Sequence, residues 1–253
     1  MEPRRVQGLV LRLRELGESD LLVDLFTAEL GRATALAKGG RRSRKRFAGL
    51  LLSGHLLEAH LAPPKKGSDL WRLEAASLAE RHLGLRRDHR RLLAAGPVWE
   101  LLLRATAVHD PQPLALELSL LTLARLAAAA DRAALASGLI AHLARLLSLM
   151  GYGLSLEACL VCAKDPGPSP RLSLAGGAVC SRCQIEGAWQ VPAGLVRGLA
   201  AAQGLEPRAL ARLAFPPAAA APGLAFLAEF WRRAVGHDLP ALGLAQRLLS
   251  RGK

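Results

Sequence analysis

The sequence predicts an α+β protein: an N-terminal five-stranded β-barrel, then an α-helical domain carrying an inserted four-cysteine zinc ribbon. Three observations predict it. Up to about residue 76, short apolar runs of period two are separated by Gly and Pro signals. Beyond about residue 78 the apolar period changes to 3.6. Within the helical part, the only four cysteines of the 253 residues form two CxxC pairs. The expected division is 1–78 for the barrel and 79–253 for the helical domain, with the metal-binding insertion at 154–186. Hydrophobic residues make up 51% of the chain, enough to bury a sizeable core in both parts.

The first predicted strand, 6–16, alternates in its later half, with Leu9, Leu11 and Leu13 on one face and Arg12 and Arg14 on the other. Residues 21–26 form a short apolar run. Glu29-Leu-Gly31 is a turn signal, with Gly31 able to take positive φ. A third strand, 32–38, ends at Gly39-Gly40. A fourth, 50–61, is stopped by Pro63-Pro64, and a fifth, 70–76, is entered through Lys66-Gly-Ser-Asp69. Five short strands in this length suit a small closed barrel, the OB type being one candidate. Leu92, Leu93, Val98, Leu101, Leu102 and Ala105 then form a helical stripe that Gly96-Pro97 is expected to interrupt. Residues 113–130 are apolar nearly all round, which predicts a deeply buried helix. Asp131 is placed to cap the next helix, with Leu135, Leu139, Leu143, Leu146 and Met150 in its stripe and Gly151 at its end. Helices are expected again at 192–202, 207–214 and 224–235, and weakly at 243–251.

The cysteines read Cys159-Leu-Val-Cys162 and, seventeen residues on, Cys180-Ser-Arg-Cys183. Each CxxC turn brings two thiolates onto one tetrahedral ion, and the second pair completes the shell. Paired disulfides would suit a secreted chain, and a redox CxxC is a further alternative, but two such motifs at ribbon spacing favour metal. Four protein ligands leave no coordination position open, so a single zinc ion here is expected to be structural. Gly176-Gly177 is read as a hairpin turn between the ligand pairs.

Lys and Arg number 34 against 21 Asp and Glu, a net charge of +13. This balance points to polyanions, nucleic acid first and an anionic membrane second. Aromatic residues are only 4%, which argues against a base-stacking platform as the main device. Lys38, Arg41, Arg42, Arg44, Lys45 and Arg46 form an anion-free run between the third and fourth strands, read as a flexible loop that clamps phosphate. Arg86, Arg87, Arg90 and Arg91, with Arg81, His82 and His89 beside them, form a second cluster whose only anion is Asp88. Both runs also fit plain solvated surfaces. Phe47 could stack on a base, but its apolar ring suits the core better. Glu18 and Asp20 suit a turn or cap. No Walker loop, HExxH motif or nucleophile–base pair is present, so an enzyme is not expected. The start of the chain lacks the apolar run of a signal peptide, and no apolar stretch reaches the ~20 residues of a membrane span. A soluble, intracellular protein is expected.

Taken together, Leu9-Val-Leu-Arg12 leading to Leu16-Gly-Glu-Ser-Asp20, Leu25-Phe-Thr27, Glu29-Leu-Gly-Arg32, Ala37-Lys-Gly39, Gly151-Tyr-Gly-Leu154, Cys159-Leu-Val-Cys162 and Gly176-Gly-Ala-Val-Cys-Ser-Arg-Cys183 resemble the bacterial recombination mediator family RecO. The resemblance spans nearly the whole chain. It implies an N-terminal OB-fold, a helical domain with a zinc site inserted, and a cytoplasmic, nucleoid-associated role in recombinational DNA repair. It also implies binding of single- and double-stranded DNA, annealing of complementary strands, and assistance in loading a recombinase, with RecR and the single-strand-binding protein as partners. Two departures stand out. Many relatives have Gly where this chain has Ala163, and the basic-Ser motif common near their C-termini is replaced by Leu242-Gly-Leu-Ala-Gln-Arg247. The competing reading, a zinc-ribbon RNA-binding or ribosome-associated protein, shares the charge argument. A nuclease or modification enzyme would need an acidic cluster that is absent.

Overall fold

The computed structural model describes residues 2–250, with the side chain of Ser250 excepted. Two compact units are present, one formed by the chain up to Leu83 together with Trp99–Glu117, the other by Gly84–Val98 and the described residues from Leu118 onward.

The first unit is built on strands β1 (Arg4–Leu16), β2 (Asp20–Thr27), β3 (Gly31–Ala37), β4 (Leu56–Ala62) and β5 (Trp71–Glu80). They close in the order β1-β2-β3-β5-β4, the OB arrangement expected. All neighbours are antiparallel except β3 and β5. Closure rests on β1, whose first half pairs with β4 and whose whole later length pairs with β2. A bulge lies between Val10 and Arg12, so Leu9, Val10 and Leu11 are all buried and the simple alternation expected along β1 is broken there. The interior is filled by Val10, Val23, Leu25, Leu57, Leu61 and Leu73, with Trp71 beside the small Ala33, Ala35 and Ala37 of β3.

The fourth strand starts later than its apolar run suggested. Residues 50–55 turn instead, with His55 N–H donating to Leu52 O and Gly54, at φ +85°, donating to Val10 O. The fifth runs further, because Glu80 still pairs with Leu56. Beside β3, Val108 bridges to Arg32, His109 N–H donates to Arg32 O, and Arg32 Nε donates to Thr106 O at 3.1 Å. This is why 99–117 belongs with the barrel. The turn before β3 is held by Leu30 N–H donating to Thr27 Oγ1 at 2.9 Å.

The second unit is helical. Helix α1 is the short Leu83–Arg86; α2 (His89–Ala105) and α3 (Pro113–Ala128) contribute residues to both units. Contrary to expectation, α2 runs unbroken through Pro97. Buried Ala94, Ala95, Val98, Leu101 and Leu102 lie on both sides of the proline, and their burial offsets the ~3 kcal/mol that an interior proline costs. Helix α3 is not buried all round: Leu114, Glu117, Ala124 and Ala128 are exposed, while Ala115, Leu116, Leu118, Leu123 and Leu126 are buried.

Helix α4 (Arg132–Leu149) is the centre of this unit, packing against α5 (Ala193–Gly204), α7 (Ala220–Val235) and α8 (Pro240–Ser250). Asp131 caps it as expected, accepting from Ala134 N–H at 2.8 Å. Its 18 residues have a mean hydropathy of 1.2, enough by length and composition for a membrane span, but 67% of them are buried, which suits a core helix. Helix α6 (Pro207–Leu210) ends four residues before the periodicity suggested. The half-buried guanidinium of Arg125 takes the carbonyls of Leu210 and Leu213 and also donates to Ser137 Oγ, so these carbonyls are satisfied without further helix.

Two outcomes test this packing. A Cβ on Gly31, already at φ +63°, would lie 2.1 Å from Asp110 O. Gly31→Ala should cost at least about 2 kcal/mol, from left-handed strain plus the clash, read by urea unfolding. In α4, burial pushes the His142 imidazole from 6.5 down to about 3. The unfolded chain therefore binds a proton that the folded one refuses, and stability falls as pH drops from 6.5 toward 3. His142→Gln should flatten that decline in thermal melts taken across this window.

Candidate metal centre and basic surface

The cysteine segment belongs to the second unit and forms a small sheet of β6 (Arg171–Ser173), β7 (Gly177–Val179) and β8 (Trp189–Gln190), in the order β7-β6-β8. Gly176 closes the β6–β7 hairpin, its N–H donating to Ser173 O at 3.0 Å, as the paired glycines suggested. Leu160 N–H donates to Ala178 O, which ties the first CxxC turn to β7. The two turns then face each other. The sulfurs of Cys159, Cys162, Cys180 and Cys183 all lie within 4.8 Å of one another.

A tetrahedral ion with metal–sulfur bonds of about 2.3 Å needs sulfurs ~3.8 Å apart. The Cys162 and Cys180 sulfurs are 3.9 Å apart. The donor set therefore fits a four-coordinate thiophilic metal ion. Electrostatics agree. Backbone N–H groups, that of Cys180 first, lower the Cys159 thiol to about 6. Contacts with the neighbouring sulfurs of Cys180 and Cys162 push the Cys183 thiol up to about 12. Four converging thiolates repel one another, and only a cation among them lets all four ionise.

The turn geometry shows what one departure noted in the sequence costs. Ala163 N–H donates to Cys159 O, Cys159 N–H donates to Lys164 O, and this turn holds Ala163 at φ +57°. That left-handed conformation favours Gly and costs an alanine about 1 kcal/mol. A residue the sequence did not mark also shapes the centre. The Arg171 side chain donates to the carbonyls of both Cys180 and Cys183, fixing the second turn from β6. Its only sequence signal is a cation within the segment.

The basic run 38–46 belongs to the barrel unit and all six of its cations are exposed. It is folded into turns rather than loose. Gly39 N–H donates to Asp20 Oδ1 at 2.7 Å, and Arg41 N–H donates to Ser19 O. The Gly39 N–H and the Ser19 hydroxyl lower the Asp20 carboxyl below its ordinary range, consistent with a capping role. Two anions outside the run reach into it: Glu15 lies 3.2 Å from Arg41, and Glu18 lies 4.0 Å from Arg42. Arg46 donates to Lys38 O and sits 5.0 Å above the ring of Phe47. Phe47 itself is in the barrel core, so the base-stacking reading does not hold for it.

The second cluster is divided. Arg81 and His82 belong to the barrel unit, Arg86–Arg91 to the helical one. His82 is buried against Gly54 O, and burial lowers its imidazole, so it adds no cation near neutral pH. Arg86, Arg87 and Arg90 are exposed. Arg91 is half-buried and donates to the carbonyls of Gly84 and Ala127, a tie within the fold.

Comparison with known proteins places these features in one family. A profile described as "Recombination protein O N terminal" matches residues 1–82, and one described as "Recombination protein O C terminal" matches 86–243. The chain belongs to the recombination protein O (RecO) family. Similar proteins include DNA repair protein RecO of Anaeromyxobacter sp. (strain Fw109-5), 33% identical over 245 residues, 95% of this chain and 94% of that protein. The DNA repair protein RecO of Myxococcus xanthus (strain DK1622) is 35% identical over 206 residues, covering 80% and 82%. That of Frankia casuarinae is 35% identical over 200 residues, covering 78% and 79%.

Arg171→Ala should leave the helical core folded and weaken metal retention about tenfold or more, the size typical of losing a partner that orients ligands. Competition with a chromogenic chelator measures this, with far-UV circular dichroism as the control on folding.

Proposed function

We propose that this chain is a non-enzymatic DNA-repair protein that binds single- and double-stranded DNA, anneals complementary strands and assists recombinase loading in the cytoplasm. The observation that carries the reading is the folded basic run on the barrel: six exposed cations on an OB-type scaffold, in a chain of this family. Cations on a folded turn meet phosphates without the backbone first having to lose its freedom, and the contacts are blind to base sequence. Annealing needs no nucleotide hydrolysis, because base pairing supplies the free energy. The protein's part is to lower the repulsion between two phosphate chains, and cations on both compact units suit that task. Lys38, Arg41, Arg42, Arg44, Lys45 and Arg46 serve as the first contact. Arg86, Arg87 and Arg90 serve as the second, with Arg91 bracing that segment from within. RecR and the single-strand-binding protein are the partners proposed from the family resemblance.

The metal is proposed to be zinc, because four thiolates in a tetrahedral set match its preference and leave no position for substrate. Its role is structural: it holds the 154–186 segment and carries no reaction.

The test is fluorescence-monitored annealing of complementary oligonucleotides without nucleotide, with and without single-strand-binding protein. The wild type should accelerate annealing. Neutralising Arg41, Arg42, Arg44 and Lys45 together should lower affinity for every DNA sequence alike. Reversing charge at Arg87 and Arg90 should depress annealing more than single-strand binding. A wild type that fails to accelerate annealing at any salt concentration contradicts the mediator role. Annealing that falls only in step with strand occupancy removes the second cluster from it.

A further inference from the structure

Asp24 lies in the middle of β2 between buried Val23 and Leu25, and its side chain is only 1% exposed. A buried carboxylate is costly unless it is paired. This one has three partners. Arg12 Nε donates to Oδ2 at 2.8 Å, Arg14 Nη2 donates to Oδ1 at 3.1 Å, and Thr34 Oγ1 donates to Oδ1 at 2.7 Å. Burial alone would raise this carboxyl, but the bonds from Thr34, Arg12 and Arg14 bring it below its ordinary range, so it stays charged.

The register shows how the three meet. Arg12, Asp24 and Thr34 stand directly opposite one another across β1, β2 and β3, and Arg14 stands opposite Leu22, the next position on the same face. The residues of β2 and β3 with the other parity, Val23, Leu25, Ala33 and Ala35, fill the barrel interior, so the Asp24 row is on the outside. The bulge before Arg12 sets this pairing.

One arginine suffices to neutralise one carboxylate. Here there are two, and their side chains remain 47% and 44% exposed. Each uses one edge of its guanidinium on Asp24. Arg12 spends Nε and keeps both Nη groups, while Arg14 spends one of its two Nη2 hydrogens and keeps the other to form a fork with Nη1 or Nε. A guanidinium anchored on one edge presents its remaining N–H fork in a fixed direction, the geometry that suits a phosphate. Leu22 and Leu36, half-buried and in register with each other beside Arg14, add apolar surface for sugar or base. Beyond Arg14, β1 runs to Glu15 and the 17–20 turn, the points where Arg41 and Gly39 of the basic run are tied.

We propose that Arg12 and Arg14, braced by the buried carboxylate of Asp24, form a preset phosphate fork on the outer face of the barrel, extending the track of a single DNA strand from the basic run along β1. Asp24 is the positioning residue. The proposal rests on the DNA-binding reading above and adds a site to it.

The test is binding of a fluorescent single-stranded oligonucleotide by the full chain at several salt concentrations. Arg14→Gln leaves Arg12 and Thr34 on Asp24, so the barrel keeps its pairing; the slope of log K against log salt should shrink by about 0.7, one strand contact. Arg12→Gln with Arg14→Gln should shrink it by roughly 1.4. Asp24→Asn raises net charge by one. If the carboxylate only stands near the strand, this variant binds more tightly; if it positions the fork, affinity falls several-fold while melting still shows a folded barrel. Unchanged or tighter binding by Asp24→Asn, or an unchanged slope in Arg14→Gln, overturns the proposal. The variant neutralised at Arg41, Arg42, Arg44 and Lys45 separates the two levels. If that variant loses slope and Arg14→Gln does not, only the fork is wrong. If the wild type itself shows no salt-dependent binding, the DNA reading falls and the fork falls with it.

Discussion

Closure of the barrel through β1 is the constraint on which the rest of the N-terminal unit depends. One 13-residue strand must satisfy β4 along its first half and β2 along its second. A regular strand would continue its alternation across that change of partner. The bulge at Leu11 resolves the conflict by adding a residue, burying three consecutive apolar side chains and resetting the phase beyond. Everything on the later half of β1 follows from the reset phase: the row of Arg12 and Arg14 over Asp24, the 17–20 turn, and the ties from that turn to the basic run.

The metal centre answers a different problem. Strands of three, three and two residues cannot hold a sheet by themselves, since even a longer isolated hairpin is marginal in water. The segment packs few apolar groups around its sulfurs, chiefly Val179 and Ile185. The apparent free energy of a four-thiolate site, roughly 10–16 kcal/mol in small peptides, is large beside what so small a core provides. A bound metal would thus replace a core, and the edge contact of Trp189 on Phe226, 5.8 Å between centroids, joins the ribbon to α7.

Local signals were legible in the sequence, and long-range ones were not. The two CxxC pairs, the Gly31 turn, the Asp131 cap and the five strands each rest on neighbours within a few residues, where residue type and spacing act directly. Pro97 misled because its local cost is outweighed by burial on both sides of it, which no local pattern shows. The fourth strand misled because residues 50–55 are as apolar as a strand while their backbone turns to bond Val10. The basic run read as anion-free because Glu15 and Glu18 come from the far side of β2. Asp24 was hidden inside an apolar run, and a lone charge in such a run was the signal that could have found it.

Cations on this scaffold are proposed to bind DNA through its phosphates. This is tested most directly by measuring the wild type's affinity for single-stranded DNA, duplex DNA and RNA of equal length across one salt series. Both DNA forms should bind, with log K falling linearly against log salt by about 0.7 per single-strand contact and about 0.9 per duplex contact. Affinity independent of salt, or a marked preference for RNA over both DNA forms, would contradict this reading.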